Sequence, residues 1–294
     1  MLRISIVIPS YQQADYLRAT LDSVLSQDIP EVEVIVRDGG STDGSVEILR
    51  EYESQIIWVS CADYGQAHAI NEGLRGATGE IVAYLNSDDV YYAGSLAKIR
   101  AYFSEHPECW FLYGDADHLH ADGSLMEPYY SEPWDYERLQ DICFICQPAL
   151  FWRREALERF GFFDDTLHYA LDYEYWLRAG REVPFHYLQG ERLAGSRLHD
   201  QTKTLGQRVK VHREILQAVM RHSTRPASVL RWLKHLAHYH ADEEGRAAVA
   251  ANQSARPYPY YFVQGALKYA HEFGIALDEA TLAEWDGMLR EIGV

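Results

Sequence analysis

This sequence predicts an α/β fold with a mainly parallel sheet and a helical appendage, and three observations predict it. Apolar runs of strand length alternate with segments of helical period through roughly the first 100 residues. Those runs end in polar corners, most abruptly at Ala83-Tyr84-Leu85-Asn86-Ser87-Asp88-Asp89-Val90. From about Thr204 onward strand texture stops and helical spacing takes over.

Ile4–Ile8 is the first apolar run, stopped by Pro9, and Ala14–Ser26 carries Leu17, Leu21, Val24 and Leu25 at helical spacing. Val32–Val36 is the second strand. The turn Asp38-Gly39-Gly40-Ser41-Thr42-Asp43-Gly44 then leads into a helix from about Ser45 to Tyr52. Ile56–Val59 and a helix over Gly65–Arg75 follow, then the strand Glu80–Leu85 and a helix over Ser95–Ser104. Such alternation implies parallel strands joined by right-handed crossovers. Trp110–Tyr113 resumes the sheet, and Ala121-Asp122-Gly123 reads as a hairpin turn. Ser223-Thr224-Arg225-Pro226 and Arg256-Pro257-Tyr258-Pro259 punctuate the helical remainder. The reading divides the chain into a principal domain, 1–222, and a helical appendage, 223–294.

Composition narrows the function classes. The chain has 294 residues, 47% hydrophobic and 24% charged, which is ordinary for a globular protein. A net charge of −17 argues against nucleic acid as the main partner, because phosphate binding needs a dense basic face. It also disfavours broad docking on anionic lipid, leaving room for peripheral contact through a local patch. No apolar run reaches the length of a membrane span, and the N-terminus lacks a signal-peptide core, so a cytoplasmic location is expected. Cys143-Phe144-Ile145-Cys146 has the spacing of redox and zinc sites, but no second pair follows, and its apolar filling reads as core.

The chemistry concentrates at the strand ends. A strand ending in carboxylates sets them at the carboxyl edge of a sheet, where open α/β folds bind ligands. Asp88 and Asp89 repel each other, and a hard divalent cation arriving with its own phosphates, Mg²⁺ or Mn²⁺, would offset that repulsion. The plainer reading is a solvated acidic turn. Neither a Gly-x-Gly-x-x-Gly after the first strand nor a Gly-x-x-x-x-Gly-Lys-Ser/Thr is present, which removes dinucleotide and P-loop enzymes. Strand one instead ends in Pro9-Ser10-Tyr11 and strand two in Arg37-Asp38 followed by two glycines. A carboxylate can accept a base N–H, an aromatic ring can stack on the base, and glycines allow close backbone approach. Asp43, just before the next helix, fits a capping role better.

Ser5-Ile6-Val7-Ile8-Pro9-Ser10-Tyr11, Val36-Arg37-Asp38-Gly39-Gly40-Ser41-Thr42-Asp43-Gly44 and Ala77-Thr78-Gly79-Glu80-Ile81-Val82-Ala83-Tyr84-Leu85-Asn86-Ser87-Asp88-Asp89, in that order, resemble glycosyltransferase family 2 over roughly residues 3–205. The resemblance implies a GT-A fold, Rossmann-like, with 1–222 as the glycosyltransferase domain. It also implies a nucleotide-sugar donor, a divalent metal (Mn²⁺ or Mg²⁺) and inversion at the anomeric carbon. Pro9, Ser10, Tyr11 and Asp38 would hold the nucleoside, and Asp63, Gly65, Gln66 and Asn71 would line the donor site further. The family's Asp-x-Asp stands here as Asn86-Ser87-Asp88. Asp88 would be the metal ligand and Asn86 and Ser87 donor contacts, one negative charge having been lost. Asp115-Ala116-Asp117 matches the literal pattern but suits the sugar or acceptor side better.

The resemblance also assigns the chemistry. Asp172, in Tyr169-Ala170-Leu171-Asp172-Tyr173-Glu174, takes the place of the family's helix-start base, with Leu171 where a glutamate is usual. A positioned base contributes about 10²–10⁴ in rate. Glu174, Asp164 and Asp165 are alternatives, and helix-dipole stabilisation is the plainer role for Asp172. His199, after a late strand, would complete the metal shell, and Arg197 and Lys203 would neutralise pyrophosphate. On the acceptor side stand Asp115 and the aromatics Trp134, Trp152 and Trp176. The tail aromatics, Trp232, Tyr239 and Tyr258 among them, read mainly as packing; a subset would suit a lipid-linked acceptor. The expected activity moves a sugar, from a UDP- or dTDP-sugar by preference, to a hydroxyl-bearing saccharide or lipid-linked acceptor, as in surface polysaccharide or glycoconjugate synthesis. A silent sugar-nucleotide-binding subunit and a nucleotidyltransferase are the alternatives.

Overall fold

β1 (Ile4–Ser10) is buried along its whole length because it has a parallel partner on each side, β2 (Val32–Asp38) and β4 (Ile81–Tyr84). A strand covered on both faces needs a continuous apolar run, and Ile4, Ile6, Val7 and Ile8 supply it. In the computed structural model, which describes residues 1–27, 29–200, 202, 206–251 and 256–294, the chain forms two compact units, Met1–Thr202 and Lys203–Val294. The helix Arg208–His222, placed with the principal domain by sequence, falls in the second unit.

In the first unit, β3 (Ile57–Ser60) closes the parallel side as an edge strand beside β2. The crossovers are α1 (Ala14–Leu25), α2 (Ser45–Glu51) and α3 (Gln66–Gly76), close to the predicted bounds. Beyond β4 come β5 (Val90–Tyr91), α4 (Ser95–Glu105), β6 (Phe111–Leu119), β7 (Leu125–Pro128), α5 (Tyr136–Leu139), β8 (Leu150–Arg153), α6 (Glu155–Phe160), α7 (Leu171–Gly180) and β9 (His186–Arg197). The sheet runs β3-β2-β1-β4-β8-β6-β9-β5, with β7 paired to β6 through the predicted hairpin. β8 is antiparallel to β4 and β6, whereas β9 is parallel to β6, so the second half of the sheet is mixed. The core between α7 and this half is aromatic: Trp152, Trp176, Tyr175, Phe111, Phe163 and Phe185 meet at ring-centroid separations of 4.2–6.4 Å.

The second unit is helical: α8 (Arg208–His222), α9 (Pro226–Ala250), α10 (Tyr258–Phe273) and α11 (Glu279–Glu291). Pro226 opens α9, where a missing N–H costs nothing, and Asp278 caps α11 by accepting from Thr281 N at 2.8 Å. Trp232, Leu236, Phe262, Tyr269 and Trp285 are buried within it. Among the described residues no helix is long and apolar enough to cross a membrane.

Candidate active site

The parallel register brings the ends of β1 and β2 together, Pro9 opposite Arg37 and Ser10 opposite Asp38. Tyr11 then projects into solvent, 62% exposed, while Ser10 is buried with its Oγ unpartnered. A Cβ on Gly39 would stand 3.2 Å from Tyr11 Cδ2 and 3.2 Å from Asp63 Oδ2, so a side chain there would press on both that ring and that carboxylate. Asp38 is buried and its carboxylate is held by the turn that follows. Oδ2 accepts from Gly40 N at 3.1 Å, Ser41 N at 2.9 Å and Ser60 Oγ at 2.6 Å, and Oδ1 accepts from Ser41 Oγ at 2.5 Å. One lone-pair direction on Oδ1 remains for a further donor. Asp43 does tie helix starts, accepting from Ala14 N at 2.9 Å and Ser45 N at 3.0 Å.

Asp63 Oδ1 accepts from Gly65 N at 2.8 Å, and Gly65 opens α3 at a φ of +113°. From the next position Gln66 Nε2 donates to Asn86 Oδ1 at 2.7 Å, joining the starts of α3 and the corner after β4. Asn71 is buried lower on α3. Its amide donates to Phe163 O at 2.9 Å and accepts from Phe163 N at 3.1 Å, so it acts by fixing the chain before α7.

The corner after β4 carries the densest polar network. Asp88 Oδ2 lies 2.9 Å from His199 Nε2, across 111 residues of sequence. The imidazole is buried against Tyr16, ring centroids 4.6 Å apart, and Tyr16 in turn lies 5.2 Å beneath the Arg197 guanidinium. Arg197 binds backbone rather than standing free: Nε donates to Asp88 O at 2.8 Å and Nη1 to Ala121 O at 2.9 Å. Lys203 lies outside the described residues. Asp89 is buried and accepts from Arg197 N at 2.8 Å and Asn86 Nδ2 at 3.2 Å. Burial, and after it the Asp88 charge, push its carboxyl well above the ordinary range. Gln147, which no sequence pattern singled out, completes the network: it donates to Tyr84 O at 2.8 Å and accepts from Asn86 at 3.1 Å.

Asp172 sits in the first turn of α7 with Oδ1 accepting from Tyr173 N at 2.7 Å. Burial raises its pKa from 3.8 to about 6, opposed by backbone N–H donors. Its charge reaches Tyr84, Tyr129 and Cys143, and burial first and Asp172 next push the Cys143 thiol up to about 12. Two of the three alternatives to Asp172 are engaged: buried Glu174 pairs with Arg178 at 2.9 Å, and Asp164 accepts from Thr166 N and Oγ1, while Asp165 is exposed.

On the expected acceptor side the structure corrects two positions. Trp152 and Trp176 are each 0% exposed, with ring centroids 5.9 Å apart, and cannot serve as sugar platforms. Trp134 is stacked on Phe185 at 4.3 Å. Aromatic content near a site does not tell core from surface; burial does. Asp115 is partly exposed and accepts from the Tyr187 hydroxyl and, at 3.0 Å, from Gly190 N. Asp117 is buried and accepts from the Tyr92 hydroxyl at 2.9 Å.

Among solved structures, S. aureus TarS with UDP-GlcNAc is similar at a TM-score of 0.62 and 19% identity, covering 90% of this chain and 82% of that one. The mannosyltransferase PcManGT from Pyrobaculum calidifontis, with GDP-Man and Mn²⁺, is similar at 0.61 and 19%, covering 98% and 80%. At such identity these show the fold alone, and it is the expected GT-A arrangement. An uncharacterized glycosyltransferase of Nostoc sp. is 33% identical over 54% of this chain and 53% of its own length, so the match spans about half of that relative. A PGL/p-HBAD biosynthesis glycosyltransferase of Mycobacterium bovis is 30% identical over 59% and 68%. The sequence model described as glycosyl transferase family 2 matches residues 5–161, more than half of the chain. This protein belongs to glycosyl transferase family 2.

Proposed function

We propose that this protein transfers a sugar, with inversion, from a nucleoside-diphosphate sugar to a hydroxyl acceptor, Asp172 being the base and Asp88 and His199 the metal ligands. The observation that carries the reading is the 2.9 Å contact between His199 Nε2 and Asp88 Oδ2 at the carboxyl edge of β4. A carboxylate and an imidazole suit a cation such as Mn²⁺. Among the described residues no group of three or more His, Cys, Asp or Glu is assembled, so Asp88 and His199 would hold the cation together with oxygens of the donor's diphosphate. When bound, the cation supplies positive charge to the departing diphosphate.

The chain's own residues do the rest. Tyr11, Gly39 and Asp63 form a slot for the nucleoside, with the remaining lone pair of Asp38 for a base N–H. That acceptor matches N3–H of uracil or thymine and mismatches cytosine, which favours a UDP- or dTDP-sugar. Asn86, oriented by Gln66 and Gln147, faces the ribose and diphosphate. Asp172, with a pKa of about 6, is ionised at neutral pH yet basic enough to take the acceptor hydroxyl proton. As that oxygen bonds to the anomeric carbon, the bond to phosphate breaks and its electron pair leaves with the diphosphate.

The test is a thermal-shift screen of nucleotide sugars with and without Mn²⁺, followed by assay of nucleoside-diphosphate release. A donor that stabilises the fold and is turned over supports the reading. A donor that binds with no release under any acceptor supports the silent-subunit alternative.

A further inference from the structure

The pairing of β6 with β9 is irregular at two successive steps. Gly114 pairs with Leu188, Asp115 with Arg192 and Ala116 with Ala194, so residues 189–191 have no partner on β6. Bulges of this kind recur beside active sites, where they re-aim side chains. Here the bulge is pinned: Gly190, at a φ of +83°, donates its N–H to Asp115 Oδ2 at 3.0 Å, and Tyr187 donates its hydroxyl to Oδ1. Under the bulge lies a cavity of about 450 Å³ lined by Asp115, Tyr129, Tyr130, Gln189 and Arg192 among others. That volume is within the range of about 300–1,000 Å³ usual for small-molecule sites.

We propose that this cavity binds one neutral saccharide unit of the acceptor, a proposal that rests on the glycosyltransferase reading above. The chemistry of the lining selects the class. Each oxygen of Asp115 holds one internal hydrogen bond and retains a lone pair for a sugar hydroxyl. Gln189 is exposed and presents an amide that both donates and accepts. Tyr130 is 55% exposed and offers a ring face for the apolar side of a pyranose. Ser131 Oγ, also in the lining, is shut from solvent without a partner.

Charge selects within the class. Arg192 is the basic residue of the lining and lies 3.5 Å from the buried Asp117 carboxylate. That carboxylate offsets the guanidinium charge, and Asp115 adds a carboxylate to the lining itself, which disfavours a uronic acid or a sugar phosphate. The cavity also adjoins the base: its wall residue Tyr129 donates its hydroxyl to Cys143 O at 3.2 Å, and both Tyr129 and Cys143 feel the Asp172 charge.

The experiment is saturation-transfer NMR on the whole chain with UDP and Mn²⁺ present. The probes are the methyl glycosides of glucose, galactose, mannose, N-acetylglucosamine and glucuronic acid. At least one neutral glycoside is expected to bind, with methyl glucuronide at least fivefold weaker. Gln189→Ala and Tyr130→Ala, both at exposed positions, should each weaken the neutral glycoside fivefold or more, with melting temperature and UDP affinity as controls on the fold and the donor site. Binding of none of the neutral glycosides by the parent overturns the proposal, as does undiminished binding by both variants or preference for the glucuronide. Failure of the glycosyltransferase reading looks different: the parent then neither binds a nucleotide sugar nor releases nucleoside diphosphate, whatever it does with glycosides.

Discussion

Asp38, at the end of β2, and Asp172, in the first turn of α7, are both aspartates with little access to water, and their surroundings differ in one respect. Asp38 accepts four hydrogen bonds from the turn and the neighbouring strand, and Asp172 accepts only from backbone N–H groups at the start of its own helix. A carboxylate that accepts from several donors fixes the backbone around it. A buried carboxylate with few donors resists ionisation, and its pKa climbs to about 6. The first arrangement fixes a turn, as the proposed nucleoside slot needs; the second leaves a carboxyl of raised pKa, as the proposed base needs. The two halves of the sheet differ in the same way, with cross-bonded corners at β1, β2 and β4 and an irregular, bulged pairing at β6 and β9.

The sharpest way to break this comparison is Asp172→Asn. Turnover should fall by about 10²–10⁴ while nucleotide-sugar affinity stays within twofold, read by product release and calorimetry. In the parent, kcat should fall tenfold per pH unit below about 6, the raised pKa of the base, and that acid limb should vanish in the variant. Unchanged turnover by a folded variant removes the base assignment.

Asp88→Asn comes next. Losing the charge that faces His199 should cost about 10²-fold or more in turnover, the scale seen when one group that stabilises transition-state charge is removed. It should also abolish any Mn²⁺ dependence of donor binding. If the variant binds donor and Mn²⁺ as the parent does, Asp115-Ala116-Asp117 becomes the candidate.

Asp38→Ala tests the other member of the pair, and its first effect should be on stability. Leaving Gly40 N, Ser41 N and two hydroxyls without their acceptor should cost about 1–3 kcal/mol, a drop of several degrees in melting temperature. The parent should also bind UDP more tightly than CDP, and the variant should lose that preference. A parent that prefers CDP would mean that Asp38 does not read the base.

The smallest effect concerns stability and pH. Because the folded pKa of Asp172 lies above its unfolded value of 3.8, the folded state holds the extra proton between about pH 4 and 6. The stabilising contribution of the protonated form is full below the unfolded pKa and is lost as pH rises through about 6. Asp172→Asn should therefore melt higher than the parent at pH 7.5, with the gap closing toward pH 4. Equal melting temperatures across that range would show that burial does not strain the carboxylate.

Sequence by itself determined the local features of this protein. Parallel strands covered on both faces need continuous apolar runs, so β1, β2 and β4 were legible, as were the helices between them. The strand-end motifs were legible for the same reason: Asp38-Gly39-Gly40-Ser41 and Asp63-Tyr64-Gly65 close on themselves within a few residues. What lay far apart in the chain was decided only by tertiary structure. No local pattern says that His199 meets Asp88, that Gln147 orients Asn86, or that Arg197 grips the backbone of the β4 corner, because each contact depends on strand order. Nor could it say that Trp152 and Trp176 would turn inward, since an aromatic residue packs a core or a sugar equally well. Burial, the mixed half of the sheet and the three-residue bulge in β9 are properties of packed layers; burial sets the pKa of Asp172, and the bulge shapes the cavity lined by Asp115.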